Sequence, residues 1–251
     1  MSSADASALP RAVIASGAGR YADPWHPFAH TSARIAEILD DDGWHVTLIH
    51  DPDAALASLD DAAVLVVNAG DPWHSVVSAG GREAGRGVDP RAQSGLDAAI
   101  ERGIGVIAVH SALASLRDYP AWRTAIGGEW QEGRSWHPPA AYAVVPVSES
   151  AHPVTAGLTG IALFDELYTD LVIDPGAQVL VAHTRDAASH PLVWVREHPT
   201  RAVVTAFGHD ERSYESASHQ ALIRNAARWA GAEAWSRTGR MDLSPAHLPE
   251  E

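Results

Sequence analysis

"GVIAVHSAL" (residues 105–113) decides how this chain is read. Val106, Ile107, Ala108 and Val109 form a continuous apolar run without polar alternation. That pattern suits a parallel strand buried on both faces. The run stops abruptly at His110-Ser111. A strand that turns sharply into a helix needs small side chains two residues before and two after its apex, because the turn is tight and strained. Centred on His110 those positions are Ala108 and Ala112, both small; centred on Ser111 they are Val109 and Leu113, both bulky. His110 is therefore the expected apex and Ser111 its neighbour. The competing reading is a His-Ser pair that only caps a helix.

The same texture recurs upstream. "RAVIAS" (11–16), "WHVTLIH" (44–50) and "AAVLVVNAG" (62–70) read as strands. Ile35, Ile38 and Leu39 have helical spacing, with Thr31 or Ser32 as the expected cap, and "GLDAAIERG" (95–103) reads as a second helix with a glycine stop. The alternation up to residue 110 predicts an open, mostly parallel α/β sheet with helices on both faces. Residues 78–95 are Gly/Arg-rich and read as a long loop. From residue 140 the pattern changes. Strand candidates at 141–147, 167–173, 178–183 and 191–195 predict an antiparallel extension before a last parallel strand at 201–206. "HQALIRNAARWAGA" (219–232) closes the domain as a helix. A single domain over 11–235 is expected, with flexible tails at 1–10 and 236–251.

Charge limits the partners. The 251 residues carry 18 basic residues, all arginine, against 32 acidic ones, for a formal net charge of −14. Such a surface repels phosphate backbones and anionic lipids, so neither nucleic acid nor a membrane is an expected partner. There is no cysteine, which excludes disulfides, thiolate nucleophiles and Cys-ligated zinc. "MSSADASALPRA" (1–12) lacks a basic segment followed by an apolar one, and no apolar run reaches membrane-span length, so a cytoplasmic location is expected.

In open α/β sheets ligands bind beyond the carboxyl ends of the strands. Gly17-Ala18-Gly19, Asn68 with Asp71, His110, and "FGHD" (207–210) share that position. Gly17-Ala18-Gly19 is weak, because it lacks a full phosphate-binding glycine pattern, and Asn68 reads equally as a cap. His209-Asp210 stands directly after an apolar strand. Further polar clusters are "DPWHPF" (23–28), "RSWHPP" (134–139) and "FDELY" (164–168). In them His137 lies between Trp136 and Pro138, and Asp165-Glu166 lies between apolar neighbours that would raise a carboxyl pKa. Loop corners at His152, His190 and His198 read as structural. No H-E-x-x-H or H-x-H spacing occurs, so a metal site would have to be assembled on N and O ligands from distant segments.

These stretches, in their order, resemble the ThuA-like proteins, named for trehalose utilisation and related to the class I glutamine amidotransferases. The resemblance rests on "WHPFAHTSARIAEIL" (25–39), "LVVNAGD" (65–71), "GIGVIAVHSAL" (103–113), "IGGEW" (126–130), "WHPP" (136–139), "HPVTAGL" (152–158), "FDELY" (164–168), "PLVWVRE" (191–197) and "FGHD" (207–210). It implies a flavodoxin-like, glutaminase-type sheet. His110 then stands where the amidotransferases carry a nucleophilic cysteine, so thioester chemistry is ruled out. The resemblance also implies a carbohydrate ligand, a disaccharide or its 3-keto derivative.

On this basis His110, His137, Glu166 and His209 are the expected acid/base groups, with Asp210 orienting a histidine. His26, Asn68, Asp71, Ser111, Trp136, Asp165 and Tyr168 are assigned to substrate binding. Trp25, Trp73, Trp130 and Trp136 are candidates for stacking on sugar faces, each also explicable as core packing. A 3-keto sugar has an acidic C–H beside its carbonyl, so isomerisation or elimination leading to hydrolysis is chemically accessible. No cofactor is expected. A non-catalytic sugar-binding protein and a divalent-metal-dependent hydrolase stay open as alternatives, and so does assembly into a homo-oligomer.

Overall fold

The structure, a computed structural model, describes residues 9–73, 88–148 and 151–238. The apolar runs become a seven-stranded sheet. Its strands are β1 (Arg11–Ser16), β2 (His45–Ile49), β3 (Val64–Asn68), β4 (Gly105–Val109), β11 (Ala202–Thr205), β10 (Ala188–Arg196) and β9 (Gln178–Arg185). The spatial order is β2-β1-β3-β4-β11-β10-β9. The first five are mutually parallel, and β10 and β9 add the antiparallel extension. Strands β1, β3, β4 and β11 are buried at nearly every position, which is why their sequences show no polar alternation. This is the doubly wound α/β architecture expected from the alternating pattern.

Helices cover both faces. Phe28–Asp42 and Ala217–Ala230 lie on one face, and Pro52–Leu56, Pro90–Glu101 and Pro120–Ile126 pack together on the other. Phe28–Asp42 starts earlier than expected, because Thr31 and Ser32 do not cap it. Both are buried inside the helix, where Asn68 Nδ2 donates to Thr31 Oγ1 at 2.8 Å and to Ser32 Oγ at 2.9 Å. Pro90–Glu101 runs into the segment read as a loop. Asp89 caps it by accepting from Arg91 N at 2.8 Å, and Pro90 sits at its first turn. Gly95 is a packing residue there, since a Cβ would come within 2.2 Å of Leu56 O. The rest of the 78–95 reading falls largely outside the described residues, as do most of both tails.

Two small antiparallel pairs stand beside the main sheet. One joins β6 (Ala141–Pro146) to β7 (Gly160–Asp165), and the other joins β5 (Gly128–Glu129) to β8 (Val172–Ile173). The expected strand at 167–173 shrinks to Val172–Ile173 and a single bridge between Trp136 and Thr169. Asp170 interrupts it with a left-handed φ of 59°. Strand β7 went unread because its residues resemble a polar cluster. The hairpin between β9 and β10 turns on Asp186 and Ala187, both left-handed at φ 50° and 60°, as a type I′ turn requires.

Behind the sheet, His219 is fully buried, donates Nδ1–H to Ser213 O at 2.9 Å and leaves Nε2 without a partner. Burial pushes its pKa from the ordinary 6.5 down to about 4. Between those values the unfolded chain binds a proton that the folded chain does not, so the contribution is complete above pH 6.5 and is lost as pH falls through 4. Denaturant unfolding followed from pH 7 to pH 4 is expected to show about 3 kcal/mol less loss in His219→Phe than in wild type.

Candidate functional site

The carboxyl ends of the parallel strands deliver the titratable side chains to one place. At the end of β4, His110 has a left-handed φ of 49° and opens a short 3-10 turn, His110–Leu113. Ala108 and Ala112 flank it, both fully buried, as the elbow requires. Its Nδ1–H donates to Ala206 O at 2.7 Å, and its Nε2 accepts from the Tyr168 hydroxyl at 2.9 Å. The ring does not project openly into a pocket as its elbow position suggested. It is 1% exposed and lies beneath the floor, because Tyr168, His26 and His209 close over it.

His26 and His209 complete a three-ring cluster. Ring centroids lie 5.0 Å apart for His26 and His110, 5.1 Å for His26 and His209, and 5.5 Å for His110 and His209, with interplanar angles of 69°, 76° and 68°. Glu166 faces the cluster: its carboxylate lies 3.5 Å from His110 Nε2, 3.4 Å from His209 Nδ1 and 3.3 Å from His137 Nδ1. Burial pushes the His110 pKa down to about 4, so that imidazole is neutral at pH 7. His209 is lowered by burial too, against the pull of Glu166. Burial alone would raise Glu166, but contact with His110 and the neighbouring His209 and His137 rings hold it below its ordinary value. Tyr168 is raised well above 10 by burial and by the Glu166 and Asp165 charges, so it stays a hydroxyl donor.

Above this floor opens a cleft of about 630 Å³, within the range of small-molecule sites. His26, Asp71, Ser111, His137, Glu166, Tyr168 and His209 line it, with Trp25 and Trp130 as aromatic walls and Asp23 and Glu132 as further carboxylates. Asp71 is paired with Arg117 at 3.1 Å, and Ser111 Oγ donates to Ala69 O at 3.1 Å. A hollow of about 410 Å³ on the outer face of the β6–β7 pair, lined by Tyr142, Val144, Phe164 and Arg212, lacks any such convergence.

Four expected site residues sit elsewhere or do other work. Asn68 is buried and ties β3 to the helix Phe28–Asp42. Asp165 is 1% exposed and clamps backbone: its carboxylate accepts from Gly208 N at 2.7 Å, Glu166 N at 2.8 Å and His209 N at 3.3 Å. Burial raises its pKa to about 7 in spite of these donors. Gly208, at φ +126°, is needed at that clamp, since a Cβ would meet Tyr214 Oη at 2.6 Å and Val109 Cγ1 at 2.8 Å. Asp210 starts the next 3-10 turn and pairs with Arg212; among the described residues it makes no hydrogen bond to a histidine. Trp136 lies outside the cleft lining, with Nε1 donating to Asp170 at 3.0 Å and Arg185 stacked over its ring.

Asp23 was missed by the reading of the sequence. Its carboxylate lies 2.8 Å from His26 Nδ1 and also accepts from the backbone of Trp25 and His26 at 2.9 Å. These bonds hold its pKa below the ordinary value against its burial. The Asp-Pro-Trp-His spacing carried the signal, because an Asx turn places an aspartate against a ring three residues on.

Solved structures share this architecture. The ThuA-like protein of Parabacteroides merdae superposes with a TM-score of 0.70 at 15% identity, over 90% of each chain. That of Bacteroides uniformis gives 0.67 at 16% identity, over 92% of this chain and 94% of the other. A GMP synthase component of Thermoplasma acidophilum gives 0.56 at 12% identity, over 92% and 98%, which extends the fold to the glutamine amidotransferases. A search of curated proteins returns no match. No helix among the described residues is long and apolar enough to cross a membrane. The family model described as trehalose utilisation matches residues 12–230, nearly the whole of the sheet and every residue of the cleft, and the chain belongs to this ThuA family.

Proposed function

We propose that this protein is an enzyme of sugar catabolism that binds a disaccharide, or its 3-keto derivative, in the cleft and moves a proton at the carbon beside the carbonyl. One observation carries the reading: a cleft walled by Trp25 and Trp130 ends on a floor where Glu166 faces three imidazoles and Tyr168 presents a neutral hydroxyl. Flat rings suit the apolar faces of a sugar, and convergent polar groups suit its oxygens. The family's description, trehalose utilisation, supports the substrate class.

The roles follow from reach. His137 is the most exposed of the cleft imidazoles, at 37% of its side chain, and Glu166 orients it from behind. It is the group placed to take a proton from bound substrate. Tyr168 donates a hydrogen bond to the oxygen that becomes an enolate. His110 is too deeply buried to touch substrate and supports Tyr168 from below.

Turnover assayed with 3-keto-glycosides and with their parent disaccharides tests the reading. The keto forms are expected to be consumed and the parents to be inert. In His137→Gln the rate is expected to fall on the order of 10²- to 10⁴-fold with the melting temperature unchanged, because a half-exposed side chain contributes little burial. Tight binding of keto-sugars with no turnover would make the cleft a binding site only.

A further inference from the structure

We infer that His26, His110, His209 and Glu166 form a binding site for one divalent transition-metal ion. Each offers one ligand atom, and the four atoms lie within 4.8 Å of one another. Ligands held at about 2.1 Å from a tetrahedral ion are about 3.4 Å apart, so a small inward movement closes the cage.

Three further features point the same way. His26 Nε2 and His209 Nδ1 are buried atoms with no hydrogen-bond partner. Orphaned buried nitrogens cost free energy and call for an occupant. Next, the far nitrogens of two rings are already held: His26 Nδ1 by Asp23 at 2.8 Å and His110 Nδ1 by Ala206 O at 2.7 Å. Hydrogen bonds of this kind fix the tautomer and aim the other nitrogen of a metal-bound imidazole. Finally, the rings stand steeply to one another, as imidazoles do around a common point.

Three imidazoles, one carboxylate and no sulfur favour zinc, cobalt, nickel, iron or manganese over magnesium or calcium, which prefer all-oxygen shells. The His110 Nε2 lone pair is engaged by the Tyr168 hydroxyl at 2.9 Å. Entry of an ion would displace that hydrogen bond and leave the Tyr168 oxygen beside the open coordination position, facing the cleft. There the ion supplies an electrophile for a substrate oxygen. The four ligands cease to be proton carriers, and His137 and Tyr168 remain as the groups that handle protons. The inference goes beyond the sugar reading and stands without it, because its ligands come from geometry alone.

The test reads metal rather than activity. Protein purified without a histidine tag and without added metal is analysed for metal content, then stripped with a chelator and titrated with Co²⁺ and Zn²⁺ by calorimetry and visible absorption. The expected result is one site per chain, a visible Co²⁺ spectrum of low coordination number, and a higher melting temperature with either ion. His26→Ala and His209→Gln should each weaken binding by more than 10²-fold, two variants guarding against one that fails to fold. Asp23→Asn should weaken it 10- to 100-fold through the lost hydrogen bond to His26. His30→Gln, a surface histidine paired with Glu211, should bind as wild type does. Absence of stoichiometric metal together with no saturable Co²⁺ binding below about millimolar would overturn the inference, as would full binding in both ligand variants.

Discussion

Glu166→Gln is expected to lower turnover on the order of 10²- to 10⁴-fold while leaving the fold intact. The substitution keeps shape and volume but removes the negative charge that faces three imidazoles at 3.3 to 3.5 Å. An amide can accept from one ring only by turning its NH₂ toward another, so His137 loses its orienting partner. The same change removes one of four ligands from the metal cage. Both consequences act in one direction, which makes this the largest expected effect on activity. Comparison of kcat, melting temperature and circular dichroism with wild type checks it. A folded variant with unchanged kcat would remove Glu166 from the mechanism.

The largest expected effect on stability belongs to Asp165→Ala. This carboxylate is the common acceptor for Gly208 N, Glu166 N and His209 N, so it joins the end of β7 to the end of β11. Its removal strands three buried N–H groups, each worth about 1–3 kcal/mol when unsatisfied. Partial relaxation leaves an expected loss of at least about 3 kcal/mol, which lowers the melting temperature of a domain this size by about 6–12 °C. Activity should fall as well, because Glu166 and His209 are positioned by the same clamp. Urea unfolding of wild type and variant measures the first effect. A loss below about 1 kcal/mol would mean that water satisfies these donors and that the clamp is not a structural tie.

The fold was legible because its strands are buried on both faces. Continuous runs such as 64–68 and 105–109 leave no polar alternation to confuse the reading, and order in sequence then fixes a parallel sheet. The elbow was legible from the small residues around His110. Depth was less so. A histidine at a strand end reads the same whether it faces a cleft or lies beneath one, and three later segments decide which. Asp165 and Glu166 are adjacent in sequence yet point opposite ways along a strand end, one into backbone donors and one toward the imidazoles. Period-two alternation at 160–165 carried that information, but β7 was not read as a strand. Convergence of His26, His110, Glu166 and His209 could not be read from spacing, since four separate segments supply them.

The proposed proton transfer is tested most directly by incubating a 3-keto disaccharide with the protein in D₂O and following the hydrogens beside the carbonyl by NMR. The account predicts deuterium at one of those carbons, in recovered substrate or in product, at a rate far above buffer and far above His137→Gln. Turnover with both of those C–H bonds retained, or binding with no deuterium in either species, would contradict it.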